Sequence, residues 1–181
     1  MKIYKEFTLK NGKKLIVRSA EKEDAQEELD LYKKTATETA YLSRGEGDMF
    51  PTVEDFADNY QYYLEDARNC YLVAIYEGKM VGSAHLDYCG NKKRSLHRCD
   101  IDMGVLKNFW NLGIGGRLMM TLLEVAKVAG FEQVELSVAS ANLRAMLMYR
   151  SFGFEKCGVI PKAMKYEDGT YLDMIQMVKF L

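Results

Sequence analysis

Between Leu96 and Ala139 the chain changes periodicity three times, and this succession constrains the fold more than any other feature. "LHRCDIDMGVL" (96–106) alternates with period two, with Ile101, Met103 and Val105 on one face and Asp100 and Asp102 on the other. "WNLGIGG" (110–116) breaks that pattern with Gly113, Gly115 and Gly116. Ile114, Leu118, Leu122, Val125 and Ala129 then recur at helical spacing. Gly130 fits a left-handed helix cap, with Phe131 packing back on the helix. "EQVELSVA" (132–139) alternates once more. Strand, helix and strand in this order imply a parallel pair joined by a crossover helix.

The rest of the chain supplies elements around this unit. Residues 3–18 read as two short strands turning at Asn11-Gly12, a strong hairpin signal. Ala25, Leu29 and Tyr32 give a helix over 21–34, and the aperiodic stretch after it reads as a loop. Thr52-x-x-Asp55 resembles a capping box opening a second helix. Strands follow at 70–76 and 81–88, a helix at 142–152 closed by Gly153, and final strands near 154–160 and 170–180. Antiparallel strands first and a β-α-β unit later predict a mixed sheet with helices on both faces. The length of 181 residues suits one domain, residues 1–181.

A glycine loop opening a helix is a ready anion cradle. A P-loop requires a Lys-Ser/Thr pair after its glycines, and none follows here. A dinucleotide fingerprint requires a third glycine where Leu118 stands. The remaining candidate is the pyrophosphate loop of acyl-CoA-dependent N-acyltransferases, Arg/Gln-x-x-Gly-x-Gly/Ala. "WNLGIG" (110–115) matches its glycines and its place between strand and helix, with Trp110 where Arg or Gln is usual. Downstream, Asn142-x-x-Ala145-x-x-x-Tyr149-x-x-x-Gly153-Phe154 resembles a second signature of the same proteins. On these two motifs the chain, over about residues 14–180, resembles the GNAT superfamily, the Gcn5-related N-acetyltransferases. The first third matches in order of elements rather than in motif.

The resemblance implies the GNAT fold. This is an α/β (α+β) architecture with a central mixed, mostly antiparallel sheet of about seven strands and about four helices. The sheet is splayed at the acetyl-CoA cleft. It implies a cytoplasmic enzyme transferring acetyl from acetyl-CoA (coenzyme A) directly to a primary amine of a small molecule or protein. A non-catalytic acyl-CoA-binding regulatory module on the same scaffold is the alternative. The backbone of Asn111, Leu112, Gly113, Ile114, Gly115 and Gly116 would cradle the pyrophosphate, with Arg117 adding a charged contact. Met103, Gly104 and Val105 would present backbone groups to the pantetheine arm, and Asn142 and Ala145 belong to the same site. Capping of its own helix is the simpler role for Asn142.

Tyr149 is the residue implied for chemistry, as acid or hydrogen-bond donor to the departing thiolate. The attacking amine must be neutral, and a lysine-like amine is only about 1 in 2500 neutral at pH 7. A base therefore helps, and Asp100 is the candidate, with Asp102 on the same strand face. His85 and His97 are lesser candidates. Glu38, Glu46, Asp48, Glu54 and Asp55, in the region that forms the acceptor wall, hint at a cationic acceptor, though a solvated surface explains them more simply.

Composition sets the remaining bounds. A formal net charge of −1 argues against a nucleic-acid partner held by bulk charge. No apolar run approaches the roughly 20 residues of a membrane helix, and "MKIYKEFTLKNGKK" lacks a signal-peptide core. Four widely spaced cysteines read as reduced thiols rather than a metal site, so no metal is expected. The apolar run "YLDMIQMVKFL" (171–181) could pair two subunits into a homodimer, by analogy with the family.

Overall fold

The structure is a computed structural model describing residues 2–45 and 47–181. Its strands are β1 (Tyr4–Thr8), β2 (Lys14–Ser19), β3 (Cys70–Tyr76), β4 (Lys79–Tyr88), β5 (Arg98–Val105), β6 (Gln133–Ala139), β7 (Glu155–Lys165) and β8 (Tyr171–Phe180). The helices are α1 (Ala25–Glu38), α2 (Val53–Glu65), α3 (Ile114–Val128) and α4 (Leu143–Ser151). All eight strands form one sheet in the order β1-β2-β3-β4-β5-β6-β8-β7. That is one strand more than the seven or so expected, because the first hairpin joins the sheet.

Every pairing is antiparallel except β5 with β6. The hairpin between β1 and β2 turns where Asn11-Gly12 stands, with Gly12 at φ +77°. The capping box at α2 is present: the Asp55 amide donates to Thr52 Oγ1 at 3.1 Å, and the Thr52 amide donates to Asp55 Oδ2 at 2.7 Å. α3 ends as its sequence implies, with Gly130 at φ +76° and the Phe131 amide donating to the Ala126 carbonyl at 3.0 Å.

Two boundaries differ from the sequence reading. α1 runs on to Glu38, because Thr35 and Ala36 bury against the sheet side of the helix and outweigh the weak helix preference of the "TATET" run. β7 runs past Pro161 to Lys165, because the register shifts between Ile160 and Met164. Such a bulge accommodates a proline that a regular ladder would reject.

The period-two pattern of β3 explains how both faces of the sheet are covered. Leu72 and Ala74 pack with Leu118, Leu122 and Val125 of α3. Tyr71, Val73 and Ile75 pack with Leu29 of α1 and Phe56 and Tyr60 of α2. Both faces are thus apolar, as in a central strand between two helical layers.

The parallel pair governs the site. β5 and β6 pair only at Arg98–Gln133, Cys99–Val134 and Asp100–Glu135. Beyond these rungs β5 continues beside β4 as far as Val105, and β6 continues beside β8 as far as Ala139. The sheet therefore opens between Asp102–Val105 and Ser137–Ala139.

Candidate active site

Two cavities meet in this opening. The larger, about 590 Å³, runs from β5 to the start of α3 and to α4. The smaller, about 350 Å³, lies between β5, β6 and the loop after α1. Tyr41, Leu42, Met103, Asn142 and Tyr149 line both.

At the start of α3 the larger cavity is lined by a glycine-rich loop. Gly113 is the N-cap of α3 at φ +89°, a left-handed conformation that side-chain-bearing residues rarely adopt. The first helical bond is the Arg117 amide to the Gly113 carbonyl, 3.1 Å. The amides of Ile114, Gly115 and Gly116 precede that ladder and lie in the first turn, where the helix dipole is positive. The three glycines differ in their reasons. A Cβ on Gly115 would meet Met148 Sδ of α4 at 3.4 Å, so this glycine also serves helix packing. A Cβ on Gly116 would meet only Phe152 at 3.9 Å, an ordinary contact. Protein packing alone leaves room for an alanine at Gly116; close approach of a ligand to the backbone does not. The residues present thus fit an anionic group held against the helix start.

Of the residues the sequence nominated for this cradle, Met103, Gly104, Val105, Asn111, Gly113, Ile114, Gly115, Gly116, Asn142, Ala145 and Tyr149 line the larger cavity. Leu112 packs against the core instead, and the Arg117 guanidinium lies over the Phe7 ring, 5.1 Å from its centre. Trp110 has a role its sequence position left open. Its indole Nε1 donates to the Val105 carbonyl at 2.7 Å, tying the loop to the end of β5. Arg144 covers the outer face of that ring at 4.6 Å.

Asn142 is the N-cap of α4, its Oδ1 accepting from the Ala145 amide at 3.2 Å. That leaves its Nδ2 as the donor it offers the cavities. About two turns along, Tyr149 is 9% exposed, its ring centre 6.0 Å from that of Phe154. Burial and then the charge of Asp102 hold its phenol well above the ordinary value. It therefore stays a protonated donor across the working pH range.

The smaller cavity is built from side chains. Asp100, Asp102, His85 and Arg44 all line it. Asp100 is exposed toward the cavity, on the strand that also carries Asp102. Enclosure first, then the charges of Asp102, Glu135 and Asp87, push it up to about 7. Asp87 faces Asp100 across the β4–β5 pair and accepts from Tyr63 Oη at 2.5 Å. His85 stands 3.7 Å from Asp87 and stacks on Tyr71, with ring centres 5.3 Å apart. His97, the other candidate histidine, lines neither cavity.

The acidic residues nominated for the acceptor wall have mostly local duties. Asp48 accepts from the Gly45 amide and Asp55 caps α2. Glu54 lines neither cavity. Glu38 lines the larger cavity and accepts from the Lys107 amide at 2.7 Å. Glu46 lies outside the described residues. Sequence reasoning missed Thr35, Tyr41, Leu42 and Arg44, which carry no period or motif. Tyr166 Oη, from the turn between β7 and β8, donates to the Ala40 carbonyl at 2.6 Å and anchors this loop. Among the described residues no cluster of three His, Cys, Asp or Glu is placed to hold a metal. No helix among them is long and apolar enough to cross a membrane.

Known proteins resemble this chain in sequence and in fold. A family model described as acetyltransferase (GNAT) family matches residues 29–154. An N-acetylaspartate synthetase from Xenopus tropicalis is 30% identical over 109 residues, covering 59% of this chain and 38% of that protein. The chain thus spans well under half the length of this curated relative. A GNAT-family acetyltransferase structure from Streptococcus pneumoniae is 26% identical, with TM-score 0.87, covering 92% of this chain and 99% of that one. A Salmonella typhimurium protein solved with its cofactor acetyl-CoA shares the fold at TM-score 0.82, with 19% identity over 92% of this chain and 94% of that one.

Proposed function

The chain belongs to the acetyltransferase (GNAT) family, and from that premise we propose that it is an acetyl-CoA-dependent N-acetyltransferase acting directly on a primary amine. The observation that carries this reading is the meeting of the two cavities at Tyr149 and Asn142. A site for a thioester and a site for an amine must share one wall, and here that wall holds a buried phenol. The naming of the curated relative as a synthetase of an N-acetylated amine supports the same reading.

In this reading the amides of the α3 start and the open edge of β5 hold the CoA arm. Asn111, Gly113, Gly115, Gly116, Met103 and Gly104 line the groove it would follow. Acetyl-CoA supplies the acetyl group and a thiolate leaving group. Asp100, poised near 7, accepts the ammonium proton, directly or through one water, so the nitrogen lone pair is free. The new bond joins nitrogen to the acetyl carbon as the carbon–sulfur bond breaks, and the second proton that nitrogen sheds passes, directly or through water, to the departing sulfur, giving the amide and free CoA thiol. An ordinary thiol has a pKa near ~8.5, below that of the Tyr149 phenol, so full proton transfer from tyrosine is uphill. Tyr149 therefore serves by donating a hydrogen bond to the sulfur as charge builds there. Placing the reactants side by side supplies a further large share of the rate, up to ~7–11 kcal/mol in intramolecular reactions.

Asp100, held at a catalytically useful pKa in the second cavity, favours an enzyme over a purely regulatory acyl-CoA-binding module. Free cysteines at 70, 89, 99 and 157 fit the cytoplasmic setting we propose with this activity. Calorimetry with acetyl-CoA, ATP and NAD, followed by thiol release over a panel of amines, tests the reading. We expect acetyl-CoA binding and turnover of at least one amine. Binding of ATP or NAD without acetyl-CoA would refute it.

A further inference from the structure

Arg44 lines the smaller cavity and has no part in the mechanism above. Its guanidinium lies flat on the Tyr32 ring, 3.6 Å from the centroid, and Nη2 donates to Thr35 Oγ1 at 3.0 Å. It reaches β5, where a Cβ on Gly104 would stand 3.8 Å from Nη2. Nε is buried with no hydrogen-bond partner, and no carboxylate of the described residues lies within ion-pair distance of the guanidinium. Glu28, whose field it feels, is fully buried and accepts from Ser83 Oγ at 2.7 Å and Tyr71 Oη at 2.9 Å. Its second oxygen, Oε2, is buried without a hydrogen-bond partner; burial raises this carboxyl, while the nearby Arg44 charge lowers it.

A half-buried guanidinium held by an aromatic face and one hydroxyl, with no carboxylate of the described residues at ion-pair distance, keeps donors for a ligand. The same cavity carries Asp100 and Asp102 on β5. It therefore offers a cation site and an anion site at once. Its volume of about 350 Å³ is near the lower end of ligand pockets, roughly 300–1,000 Å³. We propose that the acceptor is a free amino acid. Its amine lies toward Asp100 and Asp102, and its carboxylate is held by the Arg44 fork. This assignment rests on the N-acetyltransferase reading above and names its substrate class. It replaces the cationic acceptor suggested by the acidic residues of this region, of which Asp48 and Asp55 turn or cap the backbone instead.

The test compares free amino acids with their decarboxylated amines, their α-amides and short peptides, by thiol release and by calorimetric binding. We expect amino acids to exceed the decarboxylated amines by roughly 10- to 100-fold in kcat/KM, the range for a carboxylate paired with a desolvated guanidinium. Arg44→Gln should collapse that preference toward one, and Arg44→Lys should restore part of it, since the charge survives without the fork. Acetyl-CoA binding heat checks that each variant is folded. Equal use of the decarboxylated amines would overturn the proposal, as would acetylation of peptide amino termini alone or an Arg44→Gln loss that is the same for both substrate sets. If no amine is acetylated, the enzyme reading fails separately. Arg44-dependent calorimetric binding of an amino acid would then still support the site, and no such binding would refute it.

Discussion

The two cavities are made of different material. The larger adds, to side chains of α1, its following loop and α4, a glycine-rich strand–helix junction with free backbone amides. The smaller draws its charge from Arg44, His85, Asp100 and Asp102, spread over a loop and two strands. A backbone cradle depends on local conformation, so it tolerates few residues at few spacings. A side-chain wall can be rebuilt with many residues from many positions. One scaffold can therefore keep its first ligand and change its second.

The largest expected effect falls where the two cavities touch. Tyr149→Phe should lower kcat on the order of 10²-fold, as loss of one donor to a developing anion does elsewhere, with little change in KM for acetyl-CoA. Initial rates over both substrates check this. An unchanged kcat would mean that the shared wall only shapes the cleft.

The next effect belongs to the smaller cavity. With Asp100 pushed up to about 7, kcat/KM should rise tenfold per pH unit below that value and level off above it, because the base acts when deprotonated. Asp100→Asn should erase this limb. Stability moves the other way. The folded state binds the Asp100 proton more tightly than the unfolded chain, so stability present at low pH is lost as pH climbs from about 4 to about 7. Asp100→Asn should then raise Tm at pH 8 relative to the parent, measured by calorimetric melting. A lower Tm there would show that the site does not strain this carboxylate.

Smaller effects distinguish the glycines of the larger cavity. Gly116→Ala should leave Tm nearly unchanged, because its Cβ meets an ordinary 3.9 Å contact, while weakening acetyl-CoA several-fold by calorimetry. Gly113→Ala should lose about 1–2 kcal/mol of stability as well, from the left-handed backbone at φ +89°. If both behave alike, the loop is a packing device rather than a cradle. The smallest effect lies far from either cavity. Thr52→Ala removes the α2 cap for about 1 kcal/mol, read by denaturant unfolding, and should leave kcat untouched.

Legibility in the sequence follows the same division. The β5–α3–β6 unit was readable because alternation, three glycines and a 3.6-residue stripe fall within one stretch. Asn142 and Tyr149 were readable because both project from one short helix at a fixed spacing. Asp100 was readable as a strand residue, but its raised pKa comes first from burial, then from Asp102, with Glu135 and Asp87 of the two neighbouring strands adding to it, and burial is not legible in the chain. The extension of α1 and the tail of β7 were hidden, since burial of Thr35 and Ala36 and the bulge after Ile160 are decided by tertiary packing. Arg44 was hidden most fully. Its significance comes from Tyr32, Thr35 and Gly104 gathering around it, and nothing near it in the chain announces that company.

The three rungs between β5 and β6 have a further consequence. β1 to β5 join neighbour to neighbour, and α3 packs across β2 to β5. β6, β8 and β7 form a second block, joined to the first along one short ladder. That ladder is the seam along which partial opening of the molecule costs fewest backbone bonds. A ligand laid in the opening, touching α3 on one side and α4 on the other, fastens the two blocks together. By mass action, a ligand that binds only the joined blocks favours the closed sheet in proportion to its occupancy.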